Sequence, residues 1–143
     1  ADPSLPRQLD PEALESYLTT ALWTGTDDDG DPLDAVFSAG DFSEDASASA
    51  EKDLSKFYKK MKEVLEVMHD EFEERGAQDE IGGFDSGDVG HDFWLTRNGH
   101  GVGFWDRPEK YGKRLAKELT RISKEFGETD VYVSDKDEVE FSR

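Results

Sequence analysis

The sequence predicts an α+β fold: an antiparallel sheet of about four strands, arranged as two hairpins, packed with three to four helices. Three observations predict it. Apolar residues recur at helical spacing in three separate stretches, the tail alternates apolar and polar residues, and an Asn98-Gly99 pair sits between two short apolar runs. A chain of 143 residues fits a single domain spanning 1–143. Residues 1–9 are expected to be flexible, and 26–49 and 76–90 to be loops.

The first helix opens at Leu9-Asp10-Pro11-Glu12. Asp10 suits the N-cap, Pro11 the first helical position, and Glu12 the positive end of the helix dipole. Leu9 and Leu14 are spaced as a hydrophobic staple. Leu14, Tyr17, Leu18, Ala21 and Leu22 make one apolar stripe, and Thr24-Gly25 ends it. Residues 26–49 are rich in Gly, Pro, Ser and Asp and read as a loop, with one short turn around Leu33 to Phe37. Asp27, Asp29 and Asp31 with Gly30 suggest a calcium loop, but the spacing fails. With Asp27 first, the sixth position is Pro32 rather than Gly and the twelfth is Ser38 rather than Glu.

Ser49 is expected to start the longest helix, over 50–75. Leu54, Phe57, Tyr58, Met61, Val64, Leu65, Met68 and Phe72 form its stripe, and Gly76 caps it. Its charges oppose the helix dipole: Lys56, Lys59, Lys60 and Lys62 come early, and Glu66, Asp70, Glu71, Glu73 and Glu74 come late. The glycine-rich segment 76–90 reads as a connector.

HDFWLTRNGHGVGFWDR, residues 91–107, then holds two of the three histidines and two of the three tryptophans. Asn-Gly is the strongest two-residue hairpin signal, because a type I′ turn needs positive φ at both central positions. Folding there pairs Leu95 with Val102 and Phe93 with Phe104. One face becomes apolar, and Trp94 and Trp105 lie on the other. His91, Trp94, Arg97, Asn98, His100, Trp105, Asp106 and Arg107 mark this motif hairpin. In that register His91 and His100 stand roughly 20 Å apart and cannot share a metal. His91-Asp92 with Asp106-Arg107, and His69 from the long helix, could gather at the open end, which leaves a metal-dependent enzyme as one alternative.

Pro108 to Phe126 reads as a helix with Tyr111, Leu115, Leu119, Ile122 and Phe126 on one side. Lys110, Lys113, Arg114, Lys117, Arg121 and Lys124 lie opposite, and Gly127 closes it. The tail alternates through Val131, Val133, Val139 and Phe141 around a turn at 135–137, a second hairpin.

Charge carries most of what the sequence says about function. The chain has 35 acidic and 17 basic residues, a net −18. Residues 1–55 hold 14 acids and 2 bases, residues 56–92 hold 11 and 5, and residues 93–143 hold 10 of each. Such a field repels nucleic acid and anionic membranes and attracts basic surfaces. Solubility alone also accounts for a charge of this sign. There is no apolar run long enough to span a membrane, no leader-like N-terminal pattern, and no cysteine. Motifs for phosphate loops, dinucleotide binding, serine nucleophiles or zinc proteases are absent. No catalytic residue, cofactor or metal is assigned.

LDPEALESYLTTALW, PLDAVFS, HDFWLTRNGHGVGFWDR, GKRLAKEL and TDVYVSDKDEVEF, in this order, resemble a family of small bacteriophage proteins sharing a G-HDFWLTRNGHGxGFWDR segment. The resemblance spans nearly the whole chain and departs at 76–90 and at Val102. It implies a phage origin and the cytoplasm of an infected host cell, and it carries over no catalytic residue. Charge and this resemblance together predict a non-enzymatic interaction protein, a nucleic-acid mimic that inhibits a basic or nucleic-acid-binding host protein. The acidic surfaces would be Asp27, Asp28, Asp29 and Asp31, and Asp70, Glu71, Glu73 and Glu74. A homo-oligomer is compatible with this reading. The alternative is a single-stranded nucleic-acid binder that uses the basic helix, with Trp94 and Trp105 as stacking platforms; the net charge disfavours it.

Overall fold

The computed structural model describes residues 11–26, 29–67, 86–99, 103–104 and 111–142. Among these lie four α-helices: α1 (Pro11–Thr24), α2 (Glu44–Val67), α3 (Ser86–Arg97) and α4 (Lys113–Glu125). Strands β1 (Asp130–Val133) and β2 (Val139–Ser142) form one antiparallel hairpin. The fold is mainly helical with a small sheet.

Helix α1 buries Ala13, Tyr17, Leu18, Ala21 and Leu22, as its stripe requires. The segment after it is more ordered than the expected loop. It contains short 3-10 turns at Leu33–Ala35 and Ala39–Asp41. Ser38 and Asp41 exchange bonds in a capping box around the second turn.

Helix α2 begins about two turns earlier than expected. Ser43, not Ser49, is the cap: its Oγ accepts from the Ala46 backbone N–H at 3.0 Å. The same hydroxyl donates to the Glu140 carboxylate, and the Ser43 N–H donates to the Val139 carbonyl at 3.1 Å, so the cap also fastens α2 to β2. Glu44 and Asp45 in the first turn suit the dipole. The predicted end of this helix, with Met68, Phe72 and Gly76, lies outside the described residues.

The motif hairpin is not formed. Residues 86–97, expected to be part connector and part strand, are helix α3. Gly99 does take positive φ (+72°), but it is used to stop a helix. The Asn98 N–H donates to the Trp94 carbonyl at 3.3 Å and the Gly99 N–H to the Thr96 carbonyl at 3.1 Å. Among the described residues only Asp137 combines a side chain with positive φ, so Asn98 lacks the conformation a type I′ turn needs. Asn-Gly serves a helix C-terminus as readily as a hairpin, for the same steric reason. The four-strand sheet is therefore not seen; two strands are.

The tail hairpin has the expected alternation. Val131 pairs with Phe141 and Val133 with Val139. Its outer edges are occupied locally. The Asp130 carboxylate accepts from the Val131 N–H at 2.8 Å, and Phe42 bridges Val139 in parallel. One apolar cluster joins residues from all four helices and both strands, with Leu33, Phe42, Phe104 and Tyr111.

Helices α1 and α3 approach closely at Gly90, where an added Cβ would lie 2.2 Å from the Ala13 carbonyl oxygen. A backbone carbonyl cannot swing aside. Gly90→Ala is thus expected to destabilise the fold by about 1–3 kcal/mol through overpacking, despite alanine's better helix propensity. A urea melt reads this directly, and a more stable variant would show that the helices are not in contact there.

Candidate functional site

Among the described residues of the motif, Asp92, Trp94, Thr96 and Arg97 lie on α3 and point inward. Five consecutive residues, Phe93 to Arg97, are buried. A helix surrounded on all sides shows no polar face, which is why its sequence lacks helical contrast.

Arg97 is 2% exposed and ties α3 to three other segments. Its Nη1 donates to Asp53 Oδ2 of α2 at 2.8 Å and to the Tyr17 hydroxyl of α1 at 3.0 Å. Its Nε donates to the Gly127 carbonyl at 2.9 Å and its Nη2 to the Phe126 carbonyl at 3.1 Å, closing the C-terminus of α4. The guanidinium also lies 5.6 Å and 5.8 Å from the ring centres of Phe93 and Phe126. A buried charge needs this many partners to offset its desolvation.

The neighbouring motif residues each fix another element. Trp94, almost fully buried, donates from Nε1 to Thr24 Oγ1 at the end of α1, at 2.8 Å. Thr96 Oγ1 accepts from the Phe104 N–H at 3.0 Å, and Gly103 is held so near that a Cβ there would lie 2.1 Å from that oxygen. Asn98 Oδ1 accepts from the Thr129 N–H at 2.8 Å just before β1. The motif is in this sense a junction, tying α1, α2, α4 and the sheet to one central helix.

Asp92 is fully buried, and its Oδ2 accepts from the Tyr111 hydroxyl at 2.7 Å. Its Oδ1 lies 2.8 Å from His91 Nδ1. The His91 side chain is 30% exposed, and its ring centre is 6.4 Å from that of Trp23. His91 therefore reaches the surface beside an exposed tryptophan, while a buried carboxylate orients it.

Asp29 and Asp31 of the expected acidic surface are exposed. Asp27, Asp28, Asp70, Glu71, Glu73 and Glu74 lie outside the described residues, as do His69, His100, Trp105, Asp106 and Arg107. Among the described residues no group of three His, Asp or Glu side chains could hold a metal ion. None of the described helices is long and apolar enough to cross a membrane.

The basic face of α4 is exposed at Lys113, Arg114, Lys117, Arg121 and Lys124. A groove of about 420 Å³ separates it from α2, lined by Lys60, Val64, Arg114, Glu118, Arg121 and Glu125 among others. Part of this charge is matched internally. Arg121 pairs with Glu118 at 2.9 Å and Glu125 at 3.1 Å, and Lys60 lies 3.6 Å from Glu125. The Glu118 hydrogen bond, then its charge, push the Arg121 pKa upward.

Sequence reasoning missed Asp53 and the hydroxyls of Tyr17, Thr24 and Tyr111 as polar partners. Asp53 did leave a signal: it falls in phase with the apolar stripe of α2, three residues after Ala50 and four before Phe57. An acid at a core position calls for a buried cation.

Comparison of the chain with protein-family models, with curated proteins and with solved structures finds no match.

Proposed function

We propose that the chain is a non-enzymatic interaction protein whose negative surface binds a basic, nucleic-acid-binding protein of a bacterial host, as a nucleic-acid mimic that inhibits it. The observation that carries this reading is the net charge of −18, concentrated in residues 1–92. The motif's inward polarity supports it. Arg97, Asp92, Trp94 and Thr96 are buried and hold the fold together, so these four residues are accounted for without a reaction. The resemblance to phage-encoded proteins supports a host-cell partner in the cytoplasm.

The test is affinity capture from bacterial lysate at two salt concentrations, followed by challenge with double-stranded DNA. A mimic is expected to retain a nucleic-acid-binding protein at about 0.1 M salt and release it near 1 M, where the Debye length shrinks from about 10 Å to about 3 Å. DNA should displace that protein in proportion to its concentration. A retained protein that DNA leaves in place would refute mimicry while sparing a general interaction role.

A second reading, single-stranded nucleic-acid binding, draws on the exposed cations of α4. It loses Trp94 as a stacking platform, because that ring is buried between α1 and the sheet.

A further inference from the structure

We propose that Trp23 and His91 form the anchor for an arginine side chain on the basic partner protein. This inference rests on the interaction-protein reading and names the place where the contact is specific rather than merely electrostatic.

Trp23 is 54% exposed, whereas Trp94 is 2% exposed. A large ring left in water is a cost that complex formation can recover, and tryptophan is enriched among the residues that dominate binding. Trp23 ends an outward stripe of α1 that runs through Glu12, Glu15 and Thr19, all exposed. The helix face that ends at this ring carries two exposed carboxylates, Glu12 and Glu15, and no exposed cation.

His91 adds a directional group. Asp92 cannot move, because it is buried and also receives the Tyr111 hydroxyl. His91 Nδ1 is engaged by the Asp92 carboxylate at 2.8 Å, so the ring is held by one nitrogen and Nε2 is the one outside that contact. An exposed aromatic ring beside a second, oriented ring, on a chain of net charge −18, matches a guanidinium. That group is planar and cationic, stacks on aromatic rings and carries five N–H donors. A lysine ammonium matches the charge but not the stacking plane. A nucleobase matches the plane but brings phosphates of the wrong sign for this surface.

The experiment compares binding of an arginine-rich and a lysine-rich peptide of equal length and charge, with a single-stranded oligonucleotide as a third probe. Wild type is expected to prefer the arginine peptide. Trp23→Ala is expected to weaken that peptide about 5–30-fold and leave the lysine peptide nearly unchanged. His91→Gln should cause a smaller loss, again confined to the arginine peptide. Trp23 is exposed, so its variant should melt like wild type, which circular dichroism verifies. Equal affinity for both peptides, or an arginine affinity untouched by Trp23→Ala, overturns the anchor while leaving the acidic-surface reading intact. Failure of both peptides to bind wild type removes both readings. Oligonucleotide binding that falls with Trp23→Ala overturns the arginine assignment in favour of a base.

Discussion

Arg97→Ala is expected to lower the unfolding free energy by about 3–5 kcal/mol, the usual cost of breaking a buried ion pair from one side. Small domains are stable by only about 5–15 kcal/mol, so this one change removes a large share. The argument is local. The substitution takes the guanidinium from Asp53, whose side chain is 12% exposed, and strips donors from the Phe126 and Gly127 carbonyls at the end of α4. Arg97→Lys should restore less than half of the loss. One ammonium cannot span a carboxylate, a phenol and two carbonyls that four separate N–H directions now reach. The double variant Arg97→Met with Asp53→Leu should be more stable than Arg97→Ala, because no unmatched charge is left buried. Urea melts of the four proteins decide it. A loss below about 1 kcal/mol for Arg97→Ala would mean that this arginine stands in solvent.

The fate of this arginine also shows what the sequence could and could not reveal. Helix α1, the tail hairpin and the body of α4 were legible because each has one wet face and one dry face, so periodicity records their orientation. The expected start of α4 at Pro108 was wrong, since Gly112, at φ +81°, stands outside the helix and α4 begins at Lys113. Val131, Val133, Val139 and Phe141 alternate because β1 and β2 cover the helices on one side. The start of α2 was hidden by two rival serines; only the partner at Val139 favours Ser43 over Ser49. Helix α3 was illegible for a deeper reason. It is buried on every side from Asp92 to Arg97 and carries Gly87 and Gly90, and its Asn-Gly stop is also a hairpin signal. Local sequence therefore argued against the helix that packing stabilises. The ion pair crosses 44 positions, and nothing in the spacing of Asp53 and Arg97 links them. Trp23, by contrast, lies off the apolar stripe of α1 and is exposed, a placement the sequence reading did not draw.

Phe93→Ala should match Arg97→Ala in size, at about 3–5 kcal/mol, but by a different route. Phe93 is fully buried at the meeting point of three helices. Its ring stacks on Phe57 of α2 with centres 4.4 Å apart and an 18° tilt, meets Phe126 edge-on at 5.0 Å, and lies 5.6 Å from Tyr17 of α1. Truncation loses the transfer free energy of the ring and leaves a cavity, because the rings of α1 and α2 are held by their own neighbours and cannot collapse into it. It also removes a face that the Arg97 guanidinium lies over. The two effects are therefore coupled. In a double-mutant cycle, Phe93→Ala and Arg97→Ala together should cost at least about 0.5 kcal/mol less than the sum of the two alone. Tyr132→Ala, at a half-exposed ring on β1, is the control and should stay within about 0.5 kcal/mol of wild type. Full additivity of the pair would place Phe93 and Arg97 in independent environments. That would contradict α3 as the helix on which one aromatic cluster and one buried charge share the same turn.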